Sequence, residues 1–310
     1  MKLEVSSKRL NYKIDIYGKY TIITGNSGSG KTTLFNMVMD CSIGNKAIKI
    51  YCDKKVVALA NNFTGTELEH YTECVIIIDE YNLLLKRKDA ASIFKNSNNY
   101  FIIITRKILD YLPVSIDNYL MLENENKLNK AKQIYPRFKQ NIFDGIYHIV
   151  TEDSASGLEF FKEYFPDIKK SSAHSKSEIS EYLKNNFNSL NGILIVYDAS
   201  AFAFSAKELF EVTKGYNVSI FDWESYENFV LRNAPFYEEY NQSDMDCYTE
   251  SLEQFSEKRL SQLTSYKKGS LLKCIRKNCN CSQCTNIAEC KYKHGRLNYN
   301  LFINNYNLKK

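Results

Sequence analysis

Short apolar blocks separated by polar stretches run through the first 124 residues. Residues 12–16 and 20–24 read as strands, and Tyr17-Gly18-Lys19 between them predicts a hairpin turn. The second block, YTIIT, leads into a Gly/Ser-rich octet, and helical periodicity continues over residues 32–39. Strand signals recur at 47–51, 56–59, 74–78, 100–104 and 119–122, with a short helix at 66–71 and helical sequence between 78 and 100. Strands alternating with helices predict a parallel sheet covered on both faces. Residues 125–140 are polar, carry no strand signal and read as a linker.

A second alternation occupies residues 141–235. Strands are expected at 145–151, 192–197 and 217–221, and helices at 155–164, 176–186 and 206–214, the last ended by Gly215. Residues 236–310 hold a long polar helix, expected at 245–273, and a cysteine-rich basic tail. The fold class expected is α/β: a parallel sheet over residues 1–124, a smaller α/β domain, and the tail.

The chain has 310 residues, 44% hydrophobic and 25% charged, which fits a folded globular protein and two domains better than one. No apolar run approaches the ~20 residues a membrane span needs, and the N-terminus lacks an apolar signal core, so a cytoplasmic location is expected. The net charge of +5 is unevenly placed. Residues 258–310 carry 12 Lys/Arg against the single acid Glu289, whereas residues 1–257 carry 29 against 35. An acidic body with a basic tail points to a polyanion such as nucleic acid as the tail's partner, with a merely solvated lysine-rich surface as the alternative.

The octet Gly25-Asn26-Ser27-Gly28-Ser29-Gly30-Lys31-Thr32, with Thr33 next, satisfies G-x-x-x-x-G-K-[ST] between a buried strand and a helix. Glycines let backbone N–H groups wrap phosphates, and the helix N-terminus adds its positive end. Lys31 then reaches the β/γ-phosphates and Thr32 ligates Mg²⁺. ECVIIIDEY resembles a Walker B segment. That resemblance implies that Asp79 holds the Mg²⁺ shell and that Glu80 polarises the attacking water. In YFIIITRK, Thr105 and Arg106 end a strand expected beside it, which resembles the sensor position of AAA-type ATPases and implies a charge-stabilising role for Arg106.

GTPase patterns fail, since Asn45-Lys46 is followed by Ala47-Ile48 and Asp79 by Glu80-Tyr81-Asn82. An ABC-type signature is absent. The chain thus resembles the additional-strand P-loop ATPases, and this implies ATP and Mg²⁺ as ligands.

The second alternation, with Glu152 after one strand and Asp198 after another, resembles the TOPRIM fold of topoisomerases, primases and overcoming-lysogenization-defect nucleases. The resemblance implies that Glu152 and Asp198 gather Mg²⁺, and Asp153, Asp222 or Glu224 is the candidate to stand in for the family's second carboxylate. The family's D-x-D is here Asp198-Ala199-Ser200, which argues against cleavage. Cys274, Cys279, Cys281, Cys284, Cys290 and His294 are spaced C-x4-C-x-C-x2-C-x5-C-x3-H. Cys279, Cys281, Cys284, Cys290 and His294 are candidate Zn²⁺ ligands, against simple packing of reduced thiols. The expected function is Mg²⁺-dependent ATP binding and hydrolysis in nucleic-acid transactions of a defence or mobile-element kind, in a chain able to oligomerise. The alternative is a non-hydrolysing nucleotide switch that binds protein partners.

Overall fold

The computed structural model describes residues 1–125, 128–135, 145–233 and 254–258. They fall into two compact units, the first ending by Tyr135 and the second beginning by Gly145.

The first unit contains β1 (Lys2–Ser6), β2 (Asn11–Asp15), β3 (Tyr20–Thr24), α1 (Lys31–Ser42), β4 (Lys49–Tyr51), β5 (Val56–Ala58), β6 (Val75–Asp79), α2 (Ala90–Asn96), β7 (Tyr100–Ile104), β8 (Tyr119–Glu125) and β9 (Leu128–Gln133). Its nine strands form one mixed sheet in the order β4-β1-β2-β9-β8-β3-β7-β6-β5. The segment from β8 to β5 is parallel throughout. Every residue of β6 and β7 is buried, which explains their unbroken apolar runs: both faces are covered. On one face Leu34 and Val38 of α1 join Ile23, Ile77, Ile102 and Leu120 in the core. On the other, Phe94 of α2 meets Phe101 edge-on at 4.8 Å, and Tyr20 stacks on Phe101.

Three expectations fail here. The sheet is mixed rather than parallel, because β1–β2, β1–β4 and β8–β9 pair antiparallel. β2 and β3 do not form a hairpin, because β9 and β8 lie between them. Both edges of β3 are taken by the parallel strands β7 and β8, and β2 is paired with β1 and β9. The polar stretch read as a linker contains β9, antiparallel to β8 and parallel to β2. Its inward positions are Asn129 and Ala131, alternating with Lys130 and Lys132, so polar and small residues mask the strand period.

The second unit contains β10 (His148–Thr151), α3 (Ser156–Tyr164), β11 (Lys169–Ser172), α4 (Ile179–Asn186), β12 (Ile193–Asp198), α5 (Ala206–Thr213), β13 (Ser219–Trp223) and α6 (Tyr226–Asn233). Its sheet is wholly parallel, in the order β11-β10-β12-β13. β11, with the sequence KKSS, has no apolar signal and lies at the edge, where one neighbour is enough. Phe160 and Phe161 of α3 pack against Trp223, and Phe160 lies 5.3 Å from Phe229 of α6.

Of the long helix expected at 245–273, residues 254–258 are described, and they are helical. The cysteine cluster and the rest of the basic tail lie outside the described residues. Among the described residues, no helix is long and apolar enough to cross a membrane.

Candidate functional site

Strand register brings the sequence-predicted residues of the first unit together. Ile23 of β3 is level with Ile104 of β7, and Ile104 is level with Asp79 of β6. Three segments therefore emerge on one edge of the sheet: the 25–32 loop from β3, Thr105-Arg106 from β7, and Glu80 from β6. β7 sits beside the acid strand, as expected, and also separates it from the loop strand.

The loop turns directly into α1, with Gly30 in the left-handed region at φ 88° as the residue before the first helical turn. A Cβ there would lie 2.9 Å from the Tyr12 hydroxyl, so Gly30 is required both by its backbone angle and by a neighbour. Gly25 is also left-handed, and a Cβ on it would meet Met121 Cγ at 3.0 Å.

Lys31 is only 9% exposed and its ammonium is directed into the loop. It donates to the carbonyls of Gly25 and Asn26, both at 2.8 Å, and to Ser29 Oγ at 3.0 Å. Burial and the nearby Arg106 charge pull its pKa below the ordinary lysine value, while Glu80 and Asp79 oppose them. Thr32 and Thr33 come next in the first turn of α1 and are exposed.

Asp79 is 5% exposed at the end of β6. Burial raises its carboxyl above the ordinary value, and the Glu80 charge adds to this, while the Glu80 backbone N–H and the Lys31 charge work against it. A buried acid of this kind gains from any cation that neutralises it. Glu80 is clasped by Arg106, whose Nη2 donates to Oε1 at 2.9 Å and whose Nε donates to Oε2 at 3.4 Å. The third arm of the guanidinium, Nη1, donates to Ser27 Oγ at 3.3 Å. Arg106 therefore ties the end of β6 to the loop, and its hydrogen bonds hold the Glu80 carboxyl below its ordinary pKa. Thr105 is buried, and its hydroxyl accepts from the Lys107 N–H. Asn82 fixes the turn after Glu80 by accepting from the Leu84 N–H and donating to the Ala60 carbonyl.

Two residues outside the motif belong to this neighbourhood. Tyr12 of β2 donates its hydroxyl to the Gly30 carbonyl at 3.1 Å, and Asn129 of β9 is level with Tyr12 in the sheet. Nothing in the sequence of β2 signals this contact.

In the second unit, Glu152 and Asp198 lie at the ends of β10 and β12, the neighbours at which the strand order reverses, where open α/β sheets commonly bind ligands. They do meet, but Glu152 Oε2 accepts from the Asp198 backbone N–H at 2.8 Å. Both Asp153 oxygens accept from backbone N–H groups at the start of α3, those of Gly157 and Leu158. The Ser200 N–H is held by the Glu224 carbonyl. Among the described residues no group of three or more His, Cys, Asp or Glu could hold a metal ion. No family model, curated protein or solved structure matches this chain.

Proposed function

We propose that the first unit binds ATP through the 25–32 loop and hydrolyses it with Glu80 as the base. One observation carries this: Lys31, Asp79, Glu80 and Arg106 converge at one sheet edge around a loop that precedes a helix N-terminus. The donor set fits the ligands. Lys31 and Arg106 supply cationic hydrogen bonds for phosphate oxygens, and the buried Asp79 with the Thr32 hydroxyl suits a hydrated Mg²⁺. When bound, that ion would neutralise charge on the β- and γ-phosphates.

The chain's own residues do the rest. The ammonium of Lys31 exchanges the Gly25 and Asn26 carbonyls for phosphate oxygens, a stronger anionic partner. Glu80 accepts a proton from water as the water oxygen bonds to the terminal phosphorus and the bond from that phosphorus to the bridging oxygen breaks. For this, Arg106 must release at least one Glu80 oxygen, and the terminal phosphate is the anion that can take the guanidinium. The clasp also favours the second reading, a slow or non-hydrolysing switch, because a carboxylate held by an arginine is a weak base.

Calorimetric titration with Mg-ATP, paired with phosphate release, tests both readings. Binding with turnover supports the ATPase, binding without turnover supports the switch, and no binding defeats both. For the second unit we propose a regulatory or ligand-binding role without cleavage. Glu152 is engaged with backbone, and Ser200 stands where a second carboxylate would be needed. Phosphodiester cleavage with Mg²⁺ or Mn²⁺ that Asp198→Ala abolishes would overturn this.

A further inference from the structure

The four strands β4, β1, β2 and β9 lie outside the parallel segment that carries the loop, and nothing in the motif calls for them. Yet one side chain of β2 reaches the loop. The Tyr12 hydroxyl donates to the Gly30 carbonyl, the same oxygen that accepts the first helical bond of α1 from the Leu34 N–H at 2.9 Å. Burial keeps the phenol above its ordinary pKa, so it remains a donor at physiological pH. Asn129, 2% exposed, stands beside it, with Oδ1 3.7 Å from where a Gly30 Cβ would be. Its Oδ1 accepts from Asn124, and its Nδ2 has no hydrogen-bond partner. A buried amide with half its capacity unused is a poor choice for packing alone.

We propose that Tyr12, with Asn129 behind it, is a positioning residue for the phosphate loop. The Tyr12 hydroxyl's bond to the Gly30 carbonyl fixes the left-handed turn there, and so sets how tightly the loop holds a nucleoside triphosphate. The outer strands thereby act on the nucleotide site through the loop backbone. The proposal rests on the ATP-binding reading of the loop.

Tyr12→Phe removes one hydroxyl and leaves the buried ring. The full chain and this variant are compared by ATP titration, by turnover, by thermal melting without nucleotide, and by the amide NMR shifts of Gly28, Gly30 and Lys31. The expected result is a dissociation constant weaker by about three- to tenfold, the size of one net hydrogen bond. The turnover number should be unchanged and the loop amides shifted. Equal ATP affinity and unmoved loop amides, with only a lower melting temperature, would reduce Tyr12 to a packing residue and overturn the proposal. If the parent itself does not bind ATP, the nucleotide reading fails, and the loop amides alone then decide whether Tyr12 positions Gly30. Asn129→Ala should weaken ATP binding in the same sense, and Asn129→Ala binding as tightly as the parent removes Asn129 from the brace.

Discussion

Lys31 spends all its donors on the loop itself, and this defines what its removal should do. Lys31→Ala should weaken Mg-ATP binding by roughly 10- to 100-fold, the size of one hydrogen bond to a charged group. Glu80→Gln should bind ATP and fail to turn it over, as phosphate release at saturating nucleotide would record. If both variants bind and hydrolyse like the parent, the loop is an ordinary Gly/Ser turn. The clasp predicts a pH effect as well. Arg106 holds the Glu80 carboxyl below its ordinary value, so the stability the pair provides is complete above about pH 4.3 and is lost as pH falls through the lower folded pKa. Arg106→Gln should return the Glu80 carboxyl upward toward its ordinary value. A carboxyl-carbon NMR titration measures this, and an unchanged Glu80 midpoint would mean the ion pair is not formed in solution.

Among the elements, the central parallel strands were legible because burial on both faces leaves no alternation to misread. β6 and β7 fall within a residue of where their apolar runs put them. β9 and β11 were illegible for the opposite reason. LNKAKQ and KKSS bury few apolar atoms, and their pairing is supplied by the strand before each and, for β9, by the distant β2. The same holds for the site. Lys31, Asp79, Glu80 and Arg106 are found from motif spacing, whereas Tyr12 and Asn129 join them only through strand order. Two substitutions separate these cases. Ile103→Ala, in a fully buried strand, should cost about 2–5 kcal/mol in denaturant unfolding. Lys130→Pro changes a partly exposed side chain but breaks a ladder position opposed to Glu123 on one side and Lys13 on the other. It should cost on the order of 2–3 kcal/mol. A cost within ~0.5 kcal/mol would return residues 125–140 to the status of a linker.

For the whole molecule, two units with separate cores should unfold in separable transitions. ATP with Mg²⁺ at about a hundred times its dissociation constant should raise only the first unit's stability, by about 2.7 kcal/mol. Calorimetry in which ligand shifts both transitions equally would mean the units unfold as one. The basic tail carries its own prediction from charge alone. A chain ending at Glu257 should lose nucleic-acid affinity and its steep salt dependence, because residues 258–310 hold 12 Lys/Arg against one acid. Elemental analysis of the same pair should find zinc only in the full chain if Cys279, Cys281, Cys284, Cys290 and His294 ligate it.

The order of synthesis gives the central strand another consequence. Tyr20 of β3 pairs with Phe101, and Ile22 with Tyr119, so the strand that launches the loop is made well before either neighbour exists. A ribosome adding roughly 5–20 residues per second leaves about eighty residues, and so about 4–16 s, between the two. Through that interval YTIIT is an apolar segment with both of its future strand partners missing, a stage open to aggregation. On the ATP-binding reading the site is also incomplete through that interval, because Arg106 follows Phe101 in the chain.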